Sequence, residues 1–449
     1  MARGGKNLSR RSFILFGSSF FASSQLARIA NASNLDVIVI GAGAAGLAAT
    51  AALIKKGKSV LCIEANNRIG GRVHTDHTIF GVPYDMGAHW ITLGHRNPYS
   101  KYGQNEGFTV YEDPDEEVVY DGNVKINNPN TLWKLYNRTQ NVIWSEGKGS
   151  KGKDISPLEI APEKSSPWYD TVHLMIGPYS MAKDYNHFSC KDWAHYGETS
   201  IDWFCKEGFG SVVAHRWRDV PVQLNTQAKE INWDGQEVRV KTNNGTLSAK
   251  KCIVTVSTGV LAAEKIKFSP SLPVEKYEAF NGITMGIYNH VALQFKKNFF
   301  DLGNDGYLYY KVKSQNDSSP KATAGIVNVG GSNLSLFDTG GEFARELEKE
   351  GEQASINFAL EELRVIFGSK IDKHLVKAHA TMWGRNPLTI GSYASAEPGK
   401  FHLRKILREP VGEKIFFSGE ATTPRQWATV NGAHISGNYV ANLLLKSYL

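Results

Sequence analysis

The segment LDVIVIGAGAAGLAATAALIKKGKSVLCIEANNRIGGRVHT, Leu35–Thr75, decides the fold. Val37–Ile40 is a short apolar run, the pattern of a strand buried on both faces. Gly41-Ala42-Gly43-Ala44-Ala45-Gly46 then gives G-x-G-x-x-G, the Ala-rich stretch 44–55 predicts a helix, and SVLCIE predicts a second strand ending on Glu64. Each glycine has a task. Gly41 permits the tight turn, Gly43 lets backbone approach a pyrophosphate, and Gly46 lets the helix pack close on the sheet. The helix N-terminus offers unpaired N–H groups to phosphates. Glu64, 18 residues after Gly46, is placed to accept from ribose hydroxyls. Strand, glycine turn, helix, strand and acid in this order predict a dinucleotide-binding α/β unit.

Ahead of this unit stands LSRRSFILFGSSF, with Arg10 and Arg11 adjacent, an apolar run over 13–22, and Ala30-Asn31-Ala32 as a cleavage pattern. The run is too short to span a bilayer, which needs ~20 apolar residues. Ser9-Arg10-Arg11-Ser12-Phe13 resembles a twin-arginine export signal, which implies folded export to a bacterial periplasm. Residues 1–32 hold five of the 51 Lys and Arg and no acid, leaving 46 basic against 44 acidic residues, or +2. Such a balance does not point to nucleic acid or an anionic membrane, and no later stretch predicts a stable membrane anchor. The four cysteines lack metal-ligand spacing. Cys62 and Cys252 lie in apolar runs, whereas Cys190 and Cys205 are open to pairing in an oxidising compartment.

Later segments resemble the flavin amine oxidase family. Arg68-Ile69-Gly70-Gly71-Arg72 is similar to the second glycine motif of two-dinucleotide-fold flavoproteins, in which the arginine approaches the phosphates. DMGAHWITLGHRNP (85–98) resembles a flavin-contacting loop, and its residues 87–91 look most like animal polyamine oxidases. PVQLNTQAKEINWDGQEVRVKTNNGTLSAKKCIVTVSTGVL (221–261), with its Asn244-Gly245 hairpin signal, and EPVGEKIFFSGEATTPRQWATVNGAHISGNYVANLL (409–444) resemble the middle and C-terminal FAD segments. The resemblance implies an α/β fold: a two-dinucleotide-type FAD domain (33–80, 208–284 and 400–449) and a sequence-split α+β substrate domain (81–207 and 285–399). Strands in the latter are predicted at HVALQF, GYLYYKV, AGIVNV and LVKAHATMW. It also implies non-covalent FAD contacted by Gly41, Gly43, Gly46, Glu64, Gly71, Arg72, Ala88, His89, Trp90, Ala228, Trp383, Gly419, Glu420, Thr429 and Val430. Thr429 and Val430 would open a helix whose positive end faces the flavin N1–C2 carbonyl.

The implied reaction is oxidation of a primary or secondary amine to an imine, hydrolysed to an aldehyde or ketone. Tyr393 falls on one position of the family's aromatic cage. Thr429 replaces tyrosine at the other, and Trp427 offers a further aromatic face. Ser392 stands where monoamine oxidases carry a flavin-linking cysteine. In MGIYNHVALQF (285–295), His290 replaces a lysine that holds a water against flavin N5 and is associated with reaction with oxygen. Imidazole can hold a water too, with or without charge. The electron acceptor is therefore expected to be oxygen or a periplasmic carrier such as cytochrome c. Polyamines lead as substrates. YEDPDEEVVYDG (111–122) would attract a polycation, although a solvated hairpin rim is the plainer reading. Aromatic amines stay open because of Trp90, Trp383 and Tyr393. A carotenoid-type desaturase shares only the N-terminal motif, and a non-catalytic flavoprotein would fit the incomplete cage. The histone demethylase branch resembles TVNGAHISG (429–437), but an export signal argues against chromatin.

Overall fold

Residues 37–39 are fully buried, which places their strand inside a sheet covered on both faces. In the computed structural model, which describes residues 35–149, 153–197, 201–313 and 319–449, β1 (Leu35–Ile40) lies within an eight-stranded sheet. The export signal and cleavage pattern lie outside the described residues. The chain passes through α1 (Ala44–Lys55) into β2 (Val60–Ile63), parallel to β1 with Ile38 opposite Leu61. On its other side β1 runs parallel to Gly245–Val254, the last strand of an antiparallel meander with Ala228–Asn232 and Val238–Thr242. The hairpin closes with Thr242 opposite Gly245, so Asn243 and Asn244 form its tip. Ile415–Phe417 adds a further parallel strand from the C-terminal end of the chain.

A second sheet of seven strands carries most of the remaining chemistry. Helix α2 (Asn130–Lys148) buries Leu132, Leu135, Thr139 and Ile143 on one face. Strand β3 (Tyr288–Phe295) pairs antiparallel with both Leu375–Ala380 and β4 (Leu334–Gly340). Gly306–Tyr310 and Ala324–Val327 continue the sheet, followed by Glu117–Asp121. The four expected strand runs are present. Strand β4 has no polar alternation, because all seven of its residues are buried. The helix Glu352–Phe367 packs Ile356, Leu360 and Leu363 in one apolar cluster with Val291, Leu293 and Phe337 of this sheet.

Helix α3 (Val430–Ser447) returns to the first sheet and lies against α1. Their backbones approach closely: a Cβ on Gly437 would stand 2.1 Å from the Ala45 carbonyl oxygen. All four cysteines are free and buried, which corrects the expected option of a Cys190–Cys205 bridge. Cys190 packs in a cluster with Trp168 and Phe188, while Cys205 sits in another with Tyr99 and Phe209. Among the described residues no helix is long and apolar enough to cross a membrane.

One buried ion pair joins the layers. Arg404 Nε and Nη2 donate to Asp192 at 3.0 and 2.5 Å, Nη1 donates to the Ala421 carbonyl at 2.7 Å, and Asp192 also accepts from Ala396 N. Both side chains are almost fully buried. Removing one partner strands the other charge. Asp192→Ala is expected to lower unfolding free energy by about 3–5 kcal/mol, measured by denaturant melts. A loss below about 1 kcal/mol, the ceiling for an exposed pair, would contradict this reading.

Candidate active site

The glycine turn and the segment after β2 meet beneath a cavity of about 1410 Å³. This exceeds the ~300–1,000 Å³ of a single small-ligand site. Helix α1 has Gly43 at its N-cap, no side chain capping it, and no acid in its first turn. Its first N–H groups therefore face the cavity beside Gly41 and Gly43 without a competing carboxylate. A Cβ on Gly43 would meet no protein atom within 4 Å, so the open side of the cradle is the cavity itself. Gly71 stands across from it, its Cβ position 3.3 Å from Gly43 Cα. Gly46 faces inward, where a Cβ would lie 1.9 Å from the Gly41 carbonyl oxygen. It is a packing residue behind the wall. Glu64 lines the cavity, accepting from Ala42 N and Asn66 N at 2.7 and 2.8 Å, and Ala228 lines the same end.

Arg72 draws distant segments together. Its Nη1 donates to Glu420 Oε1 and to the Ser392 carbonyl, both at 2.8 Å, and its own carbonyl accepts from Ala88 N at 3.1 Å. Glu420 Oε2 accepts from Ala428 N at 3.0 Å. Gly419, at φ +145°, turns the chain here. Thr429 Oγ1 caps α3 by accepting from Gly432 N and donates to the Gln426 carbonyl, so its hydroxyl is occupied. Val430 opens the helix at the cavity wall. Ser392 Oγ accepts from Tyr288 N and donates to the Tyr288 carbonyl. Trp383 Nε1 donates to the Met86 carbonyl, fixing its ring in the wall.

His290 lies on β3, buried at the cavity. Its Nδ1 faces Asp338 Oδ1 at 2.5 Å and its Nε2 faces the Gly87 carbonyl at 2.8 Å. Burial alone pushes the imidazole pKa down, but Asp338 and the Gly87 carbonyl outweigh it and raise it. Neither ring nitrogen remains for a water, so the lysine-like water site expected of His290 is not built in this geometry. His89 Nδ1 bonds Asp85 Oδ2 at 2.9 Å, and its buried Nε2 has no partner among the described residues. Trp90 Nε1 donates to Tyr307 OH at 3.0 Å. Tyr393 lines the wall 6.0 Å from the Tyr288 ring, and Trp427 stands edge-on to Tyr196 at 5.0 Å.

The far part of the cavity is aromatic and acidic. Tyr307 and Tyr309 stack with planes 2° apart, and Tyr179 enters from a π-helical turn, Met175–Tyr179, that contains Pro178. Asp113, Asp115 and Glu117 line this wall. The expected solvated rim is thus partly the lining of the cavity. Asp113 accepts from Tyr307 OH, and its own N–H donates to the Asp202 carbonyl at 2.9 Å; the two residues flank the antiparallel pair of strands Val110–Glu112 and Trp203–Cys205. Burial, then the charge of Asp113, pushes Asp202 up to about 6. The lysine and arginine side chains on the cavity wall, Arg68, Arg72 and Lys265, come from the dinucleotide-binding part of the chain. Sequence reading missed Asp202, Tyr179 and Asp338. Only the fold brings Asp202 beside Asp113.

A family model described as flavin containing amine oxidoreductase matches residues 186–445, more than half of the chain. The chain belongs to that family. A model of an NAD(P)-binding Rossmann-like domain matches residues 39–101. Probable polyamine oxidase 4 of Arabidopsis thaliana is 28% identical over 450 residues, covering 92% of this chain and 88% of that protein. Lysine-specific histone demethylase 1 homolog 2 of Oryza sativa subsp. japonica is also 28% identical, covering 98% of this chain but 61% of that protein. Among solved structures, putrescine oxidase bound to putrescine superposes with a TM-score of 0.76 at 21% identity, covering 92% and 99% of the two chains. Cyclohexylamine oxidase from Brevibacterium oxydans IH-35A gives 0.74 at 22% identity, covering 92% and 98%. The family match gives no support to a carotenoid-type desaturase or a non-catalytic module.

The protein is an FAD-dependent amine oxidoreductase, and the residues fit that cofactor: an uncapped helix N-terminus, a cradle open at Gly43, and Arg72 at the junction. Its FAD is non-covalent: among the described residues the wall carries no cysteine, and Ser392 fills the tethering position with both bonds of its hydroxyl used internally. Gly43 and Gly46 separate cofactor binding from folding. Gly43→Ala is expected to melt within a few degrees of wild-type apoprotein yet to lose FAD on gel filtration. Gly46→Ala, forced against the Gly41 carbonyl, is expected to lose about 1–3 kcal/mol of stability even as apoprotein. Equal FAD retention by Gly43→Ala and wild type would refute the cradle.

Proposed function

We propose that this enzyme oxidises polyamines or diamines at a carbon next to nitrogen, giving an imine that water hydrolyses to an aldehyde plus an amine. FAD, when bound, supplies the acceptor for the hydride. The observation that carries the substrate class is the group of carboxylates at the aromatic end, Asp113, Asp115, Glu117 and Asp202, with no lysine or arginine lining that end among the described residues. A long cationic substrate satisfies both features. Its distal ammonium meets carboxylates, and its methylene chain lies along the Tyr and Trp faces, which attract cations as well as alkyl groups. Tyr393 and Trp427 are the rings that frame the reacting nitrogen. Ring packing excludes water there, which favours the neutral amine that the reaction needs.

The polyamine oxidase and putrescine oxidase relatives support this reading. A second reading, a cyclic or aromatic monoamine, is favoured by the aromatic wall and by the cyclohexylamine oxidase likeness. It would leave the carboxylates without a role. The electrons go to oxygen, giving hydrogen peroxide, or to a periplasmic carrier such as cytochrome c. Arg10 and Arg11 support export by the twin-arginine route. The cavity is assembled from segments spread over the sequence between residues 40 and 433, so the cofactor is best taken up before export, as the domain closes.

The two readings differ in pH dependence. A polycation prefers ionised carboxylates, so protonation of Asp202 as pH falls through about 6 weakens its binding. Asp113 and the Tyr196 phenol are the titratable groups coupled to Asp202. Steady-state assays over this range should show KM for spermidine rising toward low pH. Asp202→Asn should raise that KM roughly tenfold at neutral pH, the worth of one hydrogen bond to a charged group, and flatten its pH dependence. The same substitution should barely change the KM for benzylamine at any one pH. Identical responses for the two amines would favour the monoamine reading.

A further inference from the structure

We propose that Asp338 is a positioning residue of the oxidation site, holding His290 as an imidazolium whose Nε2–H grips the carbonyl of Gly87. β3 and β4 place His290 directly opposite Asp338, and the Asp338 side chain is fully buried. Its Oδ1 meets His290 Nδ1 at 2.5 Å, and its Oδ2 accepts from Tyr288 OH at 2.6 Å. A backbone carbonyl can only accept, so the 2.8 Å contact to Gly87 requires a proton on Nε2. The Asp338 carboxylate, which accepts a hydrogen bond from the Tyr288 hydroxyl through Oδ2, meets Nδ1 through Oδ1 as an acceptor and requires a proton there as well. A buried carboxylate is tolerated only with such partners.

Gly87 has little room to respond. A Cβ there would lie 1.9 Å from the Arg72 carbonyl oxygen and 3.1 Å from the Trp383 ring. The grip of His290 therefore sets the backbone of the loop that carries Ala88, His89 and Trp90 along the cavity. Groups facing His290 are Asp338 from β4, Asp85 from the loop, and the Tyr288 phenol from its own strand, with the Trp90 ring 6.3 Å away. Tyr179 and Tyr393 lie nearby and, like Tyr288, are held neutral by burial and the field of Asp338. His290 is thus a fixed cation at the oxidation site. A preorganised positive charge there favours the arrival of electrons without having to be recruited at the moment of reaction. The inference rests on amine oxidation by FAD and does not depend on which amine is used.

The test uses the holoenzyme labelled with ¹⁵N-histidine, with His290 assigned by its absence in His290→Gln. Both His290 ring nitrogens are expected to stay protonated from about pH 6 to 9. Asp338→Asn keeps the volume and an acceptor but removes the charge. It should bring His290 titration into that window and add an inflection to the kcat/KM profile. It should also lower kcat at least roughly tenfold at its upper end, with KM changing less; loss of a positioned donor itself costs ~10²–10³ in kcat. A neutral His290 in the wild type at pH 7 would overturn the proposal, and that reading stands even if Asp338→Asn fails to fold. A folded Asp338→Asn with a lower melting temperature but the wild-type pH profile would also overturn it, since a purely structural residue behaves that way.

Discussion

The ion pair between Arg72 and Glu420 is the contact on which the rest of the site depends. The two residues are 348 positions apart, and the same Arg72 nitrogen bonds a carbonyl 320 positions away at Ser392. Through it the second glycine motif, the turn before Tyr393 and the segment leading into α3 reach one point. The Arg72 carbonyl adds the loop at Ala88. Arginine suits this position because its several N–H donors serve several partners at once. Glu420 is nearly buried, and Arg72 with the Ala428 and Ala394 N–H groups satisfies its carboxylate oxygens.

From that junction the cavity divides electrostatically. One end is built of glycines, helix N-termini and arginines, the elements that accept phosphate. The other is built of tyrosines, tryptophans and carboxylates, the elements that accept a cation with an apolar chain. His290 stands where the second sheet closes the wall, and its partner Asp338 lies outside the reach of substrate. A single cavity can in this way receive an anionic cofactor at one part of its wall and a cationic substrate at another.

Much of the first end was legible in the sequence, because a strand, a glycine turn and a helix are contiguous and each residue acts through local backbone geometry. Gly41, Gly43, Gly46 and Glu64 each act within a few residues of the turn, where the chain itself brings them together. The second end was not legible in the same way. Asp202 becomes a cavity residue only when the strand that follows it, Trp203–Cys205, pairs with Val110–Glu112, which leads into Asp113. Asp338 sits in LSLFDTG, a strand without alternation, and acquires its partner through cross-strand register. His290 was identified as a departure from the family pattern. Its two acceptors, one of them a backbone carbonyl 203 positions away, could not be read from spacing. The acidic stretch at 111–122 was read as a rim because charge runs are usually solvated. Folding draws Asp113 half-buried onto the cavity, while Asp115 and Glu117 stay exposed at its rim.

The central claim is that carboxylates at the far end fix a distal ammonium so that the other nitrogen reaches the flavin. Anaerobic stopped-flow bleaching of the bound FAD tests it with a series of α,ω-diamines and the monoamines of equal chain length. A chain-length optimum is expected for the diamines, with half-saturation at least roughly tenfold below the matching monoamine, the worth of one charge-assisted contact. Equal half-saturation across both series, or a flavin that no amine bleaches, would contradict it.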